Sequence, residues 1–264
     1  MELSARDRDD LEAAVAILEN PGLAPRLMEI IGLPLDKAMS VLPANWKRVV
    51  GSASQKTLMK VLELALLTME ESKKKPASNL LHKVFVAASG AGGGALGLAS
   101  LPLELPFSTC LIFRSIADIA RSEGEDIRSL PTKLACLEVF ALGGRSTEDN
   151  AVDTGYFAIR AMLAREVSEA ARYLARGRLR EGAPAIARLI AAISTRFGAV
   201  VSQKVAAQAV PVLGALGGAM VNTVFIDHFQ DMARGHFTIR RLERAYGQAE
   251  IEAMYRKLAA IGSK

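Results

Sequence analysis

The sequence predicts an all-α protein built as a single multi-helix domain, and three observations carry that reading. Half of the 264 residues are hydrophobic while only 5% are aromatic, and the surplus is Ala, Leu, Val and Gly, a composition suited to closely packed helices. Apolar residues recur at three-and-four spacing through most of the chain. No stretch alternates apolar and polar residues with β-branched enrichment, so no strand is expected. The length supports a large core, and no Pro/Gly/Ser-rich linker divides it.

In chain order, Asp10 to Glu19 predicts a short helix stopped by the Asn20, Pro21, Gly22 turn. Further short helices follow, interrupted by Gly32, Pro34 and Pro43. From Ser52 to Glu70 the stripe Leu58, Val61, Leu62, Ala65 and Leu66, with Lys56, Lys60 and Glu63 between, marks an amphipathic core helix. Lys73, Lys74, Lys75 and Pro76 end it, and Ser78 caps a helix that leads into Ala87 to Leu101. A break is expected at Pro102. Pro106 then opens a helix through Phe107, Leu111, Ile112, Ile116 and Ile119 to Ser122, since in a first turn its missing N–H has no intrahelical partner. Pro131 to Leu142 is a compact apolar helix ended by Gly143 and Gly144, and Ser146 to Thr154 is a polar loop. A long helix runs from about Val152 to Arg176, and Pro184 to Thr195, Phe197 to Gln208 and Pro211 to Phe225 follow as successive helices. The polar tail Asp227 to Lys264 holds two amphipathic helices. The expected organisation is an N-terminal helical extension over 1–30, a main helical domain over 31–245 and a C-terminal helix over 246–264.

Two charge-free, glycine-studded stretches stand out, Val84 to Leu103 and Val205 to Ile226. Each is long enough to cross the hydrocarbon of a bilayer or to run through a large helical core. Gly90 with Gly94, Gly93 with Gly97, and Gly214 with Gly218 are four apart. That spacing bares one helix face to close approach by another backbone, so both stretches are expected as central helices wrapped by amphipathic ones. Each is followed by a helix with an acid and an arginine, Asp118 and Arg121 in one, Asp231 and Arg234 in the other, which suggests an internal pseudo-repeat.

Permanent membrane spanning is disfavoured, because Pro102 interrupts the first stretch, Asn222 lies in the second, and glycine adds little apolar area. Two readings remain: a tight buried helix pair, or a core whose apolar hairpins frame a lipid-sized cavity or meet a bilayer. Lys and Arg exceed Asp and Glu by five, which suits an anionic membrane surface. Aromatic interleaving for nucleic acid is missing, so that partner is not expected. The basic clusters Lys73 to Lys75, Arg176 with Arg178 and Arg180, and Arg240 with Arg241 and Arg244 fall at helix ends or in loops, where cations also complement the helix dipole. Met1 to Asp10 has no apolar leader core, so cytoplasmic residence is expected, peripheral on the inner face of the plasma membrane if the bilayer is engaged. Cys110 and Cys136 are expected to be reduced, buried small hydrophobes.

Chemistry-bearing candidates are few. Glu104 is placed to serve as a first-turn carboxylate of the Pro106 helix. Arg114 and Asp118 are four apart and share a face suited to an ion pair or a headgroup contact. Asn222, Asp227, His228 and Asp231 form the one cluster resembling a metal or acid/base site, but a dinuclear carboxylate centre needs a second Glu-x-x-His arm, which is missing. A surface or helix-capping role is therefore expected there, with no metal and no cofactor. There is no Gly-x-Ser-x-Gly elbow and no phosphate loop.

The run Ala88 to Leu96, then Leu101, Pro102, Leu103, Glu104, Leu105, Pro106 and the Arg114 to Ala120 helix, resembles the central motif of the EcsC family. So does Ala209 to Asn222, followed by Ala233, Arg234, Gly235, His236 and Phe237. The resemblance covers roughly Ile31 to Ala245. It implies a predominantly helical bacterial protein tied to membrane processes, with an ABC transporter or other membrane protein as a possible partner, and it supplies no active site. The expected function is a non-catalytic, membrane-associated or lipid-binding accessory protein, with Gly90, Gly93, Gly94, Gly97, Glu104, Arg114, Asp118, Gly214, Gly218 and Asn222 as ligand-facing residues. The alternative is a hydrolase acting on a hydrophobic substrate through Glu104 or through Asp227 and His228.

Overall fold

A computed structural model describes residues 3–20, 22–70, 101–144, 155–177, 179–210 and 214–262. Among them are ten α-helices and no strand: α1 Ala5–Glu19, α2 Leu23–Ile31, α3 Leu35–Ser40, α4 Trp46–Glu70, α5 Leu101–Ser122, α6 Leu130–Leu142, α7 Tyr156–Ala175, α8 Leu179–Gln208, α9 Gly214–Tyr246 and α10 Gln248–Gly262. The all-α reading holds.

Two long helices organise the packing. α8 lies against α7, α4, α6 and α3, while α9 lies against α1, α5, α10 and α2. α6 fits beneath both, and for that reason it has almost no polar face: Leu134 to Leu137 and Val139 to Leu142 are all buried. At the junction, Phe140, Phe197, Phe225 and Phe229 bring three helices together with ring centroids 5.2 to 6.5 Å apart, distances that favour edge-to-face contact.

Several boundaries differ from the sequence reading, each for a local reason. α1 starts at Ala5 because the Ser4 hydroxyl accepts the Asp7 N–H at 3.1 Å. α5 runs straight through Pro106, so no new helix opens there; near the helix start the proline removes a single helical donor, the one toward the Pro102 carbonyl, and the Ser108 and Thr109 hydroxyls bond back to the Leu105 carbonyl at 3.2 and 2.6 Å. α8 is one helix rather than two, with Ser194 and Thr195 both donating to the Ala191 carbonyl at 3.0 Å. α9 continues past Phe225 because its buried stripe does, through Phe229, Met232, Ala233, Phe237 and Leu242.

The glycine-rich expectation is corrected in part. Most of the first stretch, including Gly90, Gly93, Gly94 and Gly97, lies outside the described residues. The second stretch is not one rod: it holds the end of α8 and the start of α9. Its apolar ends are central, with Val205, Ala206, Val221 and Phe225 buried, but Ala219 and Met220 face solvent. Close approach between helices is seen at glycines outside these stretches. A Cβ on Gly235 would stand 2.7 Å from Leu18 Cγ, and one on Gly182 would stand 2.9 Å from Tyr173 Cγ, so these positions set how closely α1 meets α9 and α7 meets α8. Gly143 and Gly144 do more than end α6. Side chains there would overlap the His228 ring and the Arg196 backbone.

Among the described residues one segment, Glu181–Gln208, is long and apolar enough to cross a membrane, and 61% of its most apolar window is buried within the protein. That burial is expected of a core helix. Cys110 and Cys136 are free thiols; Cys110 is half-buried rather than buried, and burial pushes Cys136 up to about 12.

Candidate functional site

Glu104, in the first turn of α5, meets a partner that the sequence did not disclose. Lys204 of α8 donates to its Oε1 at 2.6 Å. The lysine side chain is completely buried, the glutamate 25% exposed, and Lys204 Nζ also lies 4.5 Å from the centre of the Phe225 ring. Burial pulls the lysine below its usual pKa, against the pull of Glu104. One lysine thus ties α5, α8 and α9 at a single point. One turn on, Gln208 Nε2 donates to Asn222 Oδ1 at 3.4 Å. The described residues that flank both glycine-rich stretches therefore meet at one end of the fold. Gly214 opens α9 there, Gly218 and Asn222 are half-buried, and Met220 is 55% exposed.

The other sequence candidates are not brought together. Asp227 is exposed and His228 buried, so these neighbours leave α9 on different faces. The His228 ring packs 5.1 Å from that of Phe229, while Asp231 pairs with Arg26 at 3.3 Å and Arg234 at 2.7 Å. Among the described residues no three His, Cys, Asp or Glu side chains gather as a metal site. Arg114 and Asp118 are both exposed, and Asp118 pairs with Arg121 at 3.1 Å instead of with Arg114; at solvated positions the two pairings differ little in energy. Arg240, Arg241 and Arg244 are matched internally. Arg240 meets Glu125 at 2.8 Å, Arg241 meets Asp7, Asp10 and Glu123 at 2.6 to 2.8 Å, and Arg244 meets Glu125 and donates to the Glu123 carbonyl at 2.6 Å. These pairs fasten α1 and the α5–α6 turn to α9.

The structure adds a polar cleft of about 800 Å³ between α1, α6, α7, α9 and α10. Its wall is built on Arg160 of α7, whose guanidinium grips Glu243 at 2.7 and 3.1 Å, donates to Tyr156 Oη at 3.2 Å and stacks 5.3 and 5.4 Å from the Tyr156 and Phe157 ring centres. Tyr156 Oη lies 3.0 Å from Nδ1 of the fully buried His236. Burial, with Arg160 and Arg240 nearby, holds His236 well below its usual pKa, so it is neutral. Since arginine only donates, the arrangement that satisfies all three groups has Tyr156 donating to Nδ1. The hydrogen then sits on Nε2, which has no hydrogen-bond partner among the described residues. Across the cleft, Tyr255 donates to Glu19 Oε1 at 2.6 Å, and the Tyr156 N–H at the start of α7 donates to the same oxygen at 3.3 Å.

Glu138 of α6 also lines this cleft. Burial raises its pKa, Arg160 and Arg240 opposing, yet it has no hydrogen-bond or ion-pair partner among the described residues. The signal for it was present in the sequence: a lone carboxylate inside the apolar run Leu134 to Leu142. The signal for its surroundings was not, because Arg160 and Glu243 are brought together from distant segments.

No curated protein and no solved structure matches this chain. A family model does, over residues 11–242, a span that contains Glu104, Lys204, the whole of α6 and most of α9. The chain belongs to the EcsC protein family.

Proposed function

We propose that this protein is a non-catalytic accessory protein that binds lipid or the inner face of the plasma membrane, using the end of the fold where its two glycine-rich stretches are rooted. The observation that carries the reading is the Lys204–Glu104 junction, which draws the flanks of two charge-free stretches to one place. An apolar contribution from both can then act on one surface, and binding energy scales with the apolar area that surface buries. Met220, 55% exposed two residues before Asn222 on α9, belongs to the same end. With Arg240, Arg241 and Arg244 matched internally, the basic clusters left to meet an anionic surface are Lys73 to Lys75 and Arg176 with Arg178 and Arg180, at about 1 kcal/mol per basic residue near that surface. Membership of the EcsC family supports a partner among membrane proteins such as an ABC transporter. The hydrolase alternative gains nothing from the geometry, since Glu104 is held by Lys204 and Asp227 and His228 face apart.

Flotation of the purified chain with anionic and with zwitterionic vesicles tests the reading, together with native mass spectrometry for co-purified lipid. The protein is expected to float with anionic vesicles at low salt and to retain part of that binding at high salt. Protein that stays in the dense fraction at low salt and carries no lipid overturns the proposal.

A further inference from the structure

The polar cleft lies far from the end just described: Asn222 and Arg240 are 18 residues apart on α9, about 27 Å at the α-helical rise. Its charges balance unevenly. Arg160 is taken by Glu243, Arg240 by Glu125, and Arg256 by Glu252 at 2.6 Å. The cations of the wall thus have carboxylates of their own, whereas Glu138, in the field of Arg160 and Arg240, makes no hydrogen bond or ion pair among the described residues. A carboxyl kept in such a place costs stability unless something completes it, and such a cost is retained where a site is functional. An anionic ligand would have to displace Glu243 or Glu125 and then sit beside Glu138. A cationic ligand has only to enter. Tyr156, Phe157 and Tyr255 also line the cleft, with Arg160 lying over the first two rings. Ala158, Ala161 and Ala164 form a narrow apolar strip, suited to an aliphatic chain, and the volume is in the range of small-molecule sites.

We propose that this cleft binds a small soluble molecule bearing a primary ammonium group on an aliphatic chain, with the Glu138 carboxylate as its ion-pair partner. The test reads the cleft directly, by NMR of the full chain labelled at alanine methyls. n-Butylammonium chloride and sodium butyrate are titrated at matched ionic strength. The ammonium is expected to shift the methyls of Ala158, Ala161, Ala164 and Ala259 saturably, and butyrate to leave them unmoved. Glu138→Gln, nearly isosteric and expected to fold at least as well, should weaken the ammonium response about tenfold or more, the loss of one buried charge-assisted contact. The proposal is overturned if these methyls ignore the ammonium, if butyrate moves them equally, or if Glu138→Gln leaves the response unchanged. Shifts caused by phosphatidylethanolamine vesicles and not by soluble ammonium would overturn the assignment to a soluble ligand. None of these outcomes depends on whether the chain floats with vesicles, so the two proposals fail separately.

Discussion

Glu104→Gln should destabilise this protein more than Lys204→Met, although both break the same ion pair. The two partners are buried to different degrees: the lysine is fully enclosed, while the glutamate is 25% exposed. Removing one partner of a buried pair costs about 3–5 kcal/mol when the other charge is left enclosed. In Glu104→Gln the stranded group is the enclosed ammonium. The glutamine oxygen returns one hydrogen bond, roughly 1 kcal/mol, leaving an expected loss of about 2–4 kcal/mol. In Lys204→Met the stranded group is a carboxylate that reaches water. Methionine fills the aliphatic volume and keeps contact with the Phe225 ring, so the cost should be about 1 kcal/mol, nearer that of an exposed pair. The double variant should recover most of what Glu104→Gln loses, since the enclosed cation is gone. Urea unfolding followed by far-ultraviolet circular dichroism, compared at constant m, measures all three. For a chain of this size each kcal/mol corresponds to roughly 2–4 °C in Tm. Lys204→Met proving as costly as Glu104→Gln, or both changing stability by less than about 0.5 kcal/mol, would refute the reasoning.

Three further outcomes are expected. Gly144→Ala would place a Cβ 2.9 Å from the Arg196 carbonyl carbon and 3.2 Å from its Cα. Those are backbone atoms that cannot rotate away, so a loss of about 1–3 kcal/mol is expected. Gly51→Ala, exposed on α4 with nothing within 4 Å, should instead gain about 0.5–1 kcal/mol from helix propensity, and urea midpoints of the same sign and size for both would contradict this account of close approach. The raised pKa of Glu138 means that the folded carboxyl holds its proton at a pH where the unfolded chain has released it. Its favourable linkage is therefore complete below the ordinary value of 4.5 and is lost as pH rises through the folded pKa. Glu138→Gln should accordingly raise Tm at neutral pH and change it little in acid, and an equal effect at both pH values would show that the charge is not the cause. Met220→Asp, at an exposed position, should leave Tm within a few degrees of the parent while reducing vesicle flotation; unchanged flotation would remove that part of α9 from the proposed membrane-facing surface.

Sequence periodicity located most of the helices because an apolar stripe is a local property, set by residues three and four apart. It failed at two expected breaks inside longer helices. Pro106 suggested a helix start, and the step from Thr195 to Phe197 an expected break, yet α5 and α8 run through both. The polar appearance of Asp227 to Asp231 suggested a new segment, but the buried stripe of α9 passes beneath those residues without interruption. Glycine spacing pointed to Gly214 and Gly218 as places of close approach. Gly235, Gly182 and Gly143 are pressed against side chains of neighbouring helices with no such spacing between them, because close approach depends on who the neighbour is.

From the amino-acid sequence alone came the all-α architecture, the EcsC resemblance, and Glu104 as an acid at the mouth of an apolar stretch. Only the tertiary structure decided which charges are answered: Lys204 for Glu104, Glu243 for Arg160, Glu125 for Arg240, and no partner for Glu138 among the described residues. The physical reason is the difference in range. Helix formation and amphipathicity are written within one or two turns of chain, whereas the energy of a buried charge depends on atoms brought to it from distant segments, and on how much water the fold leaves beside it.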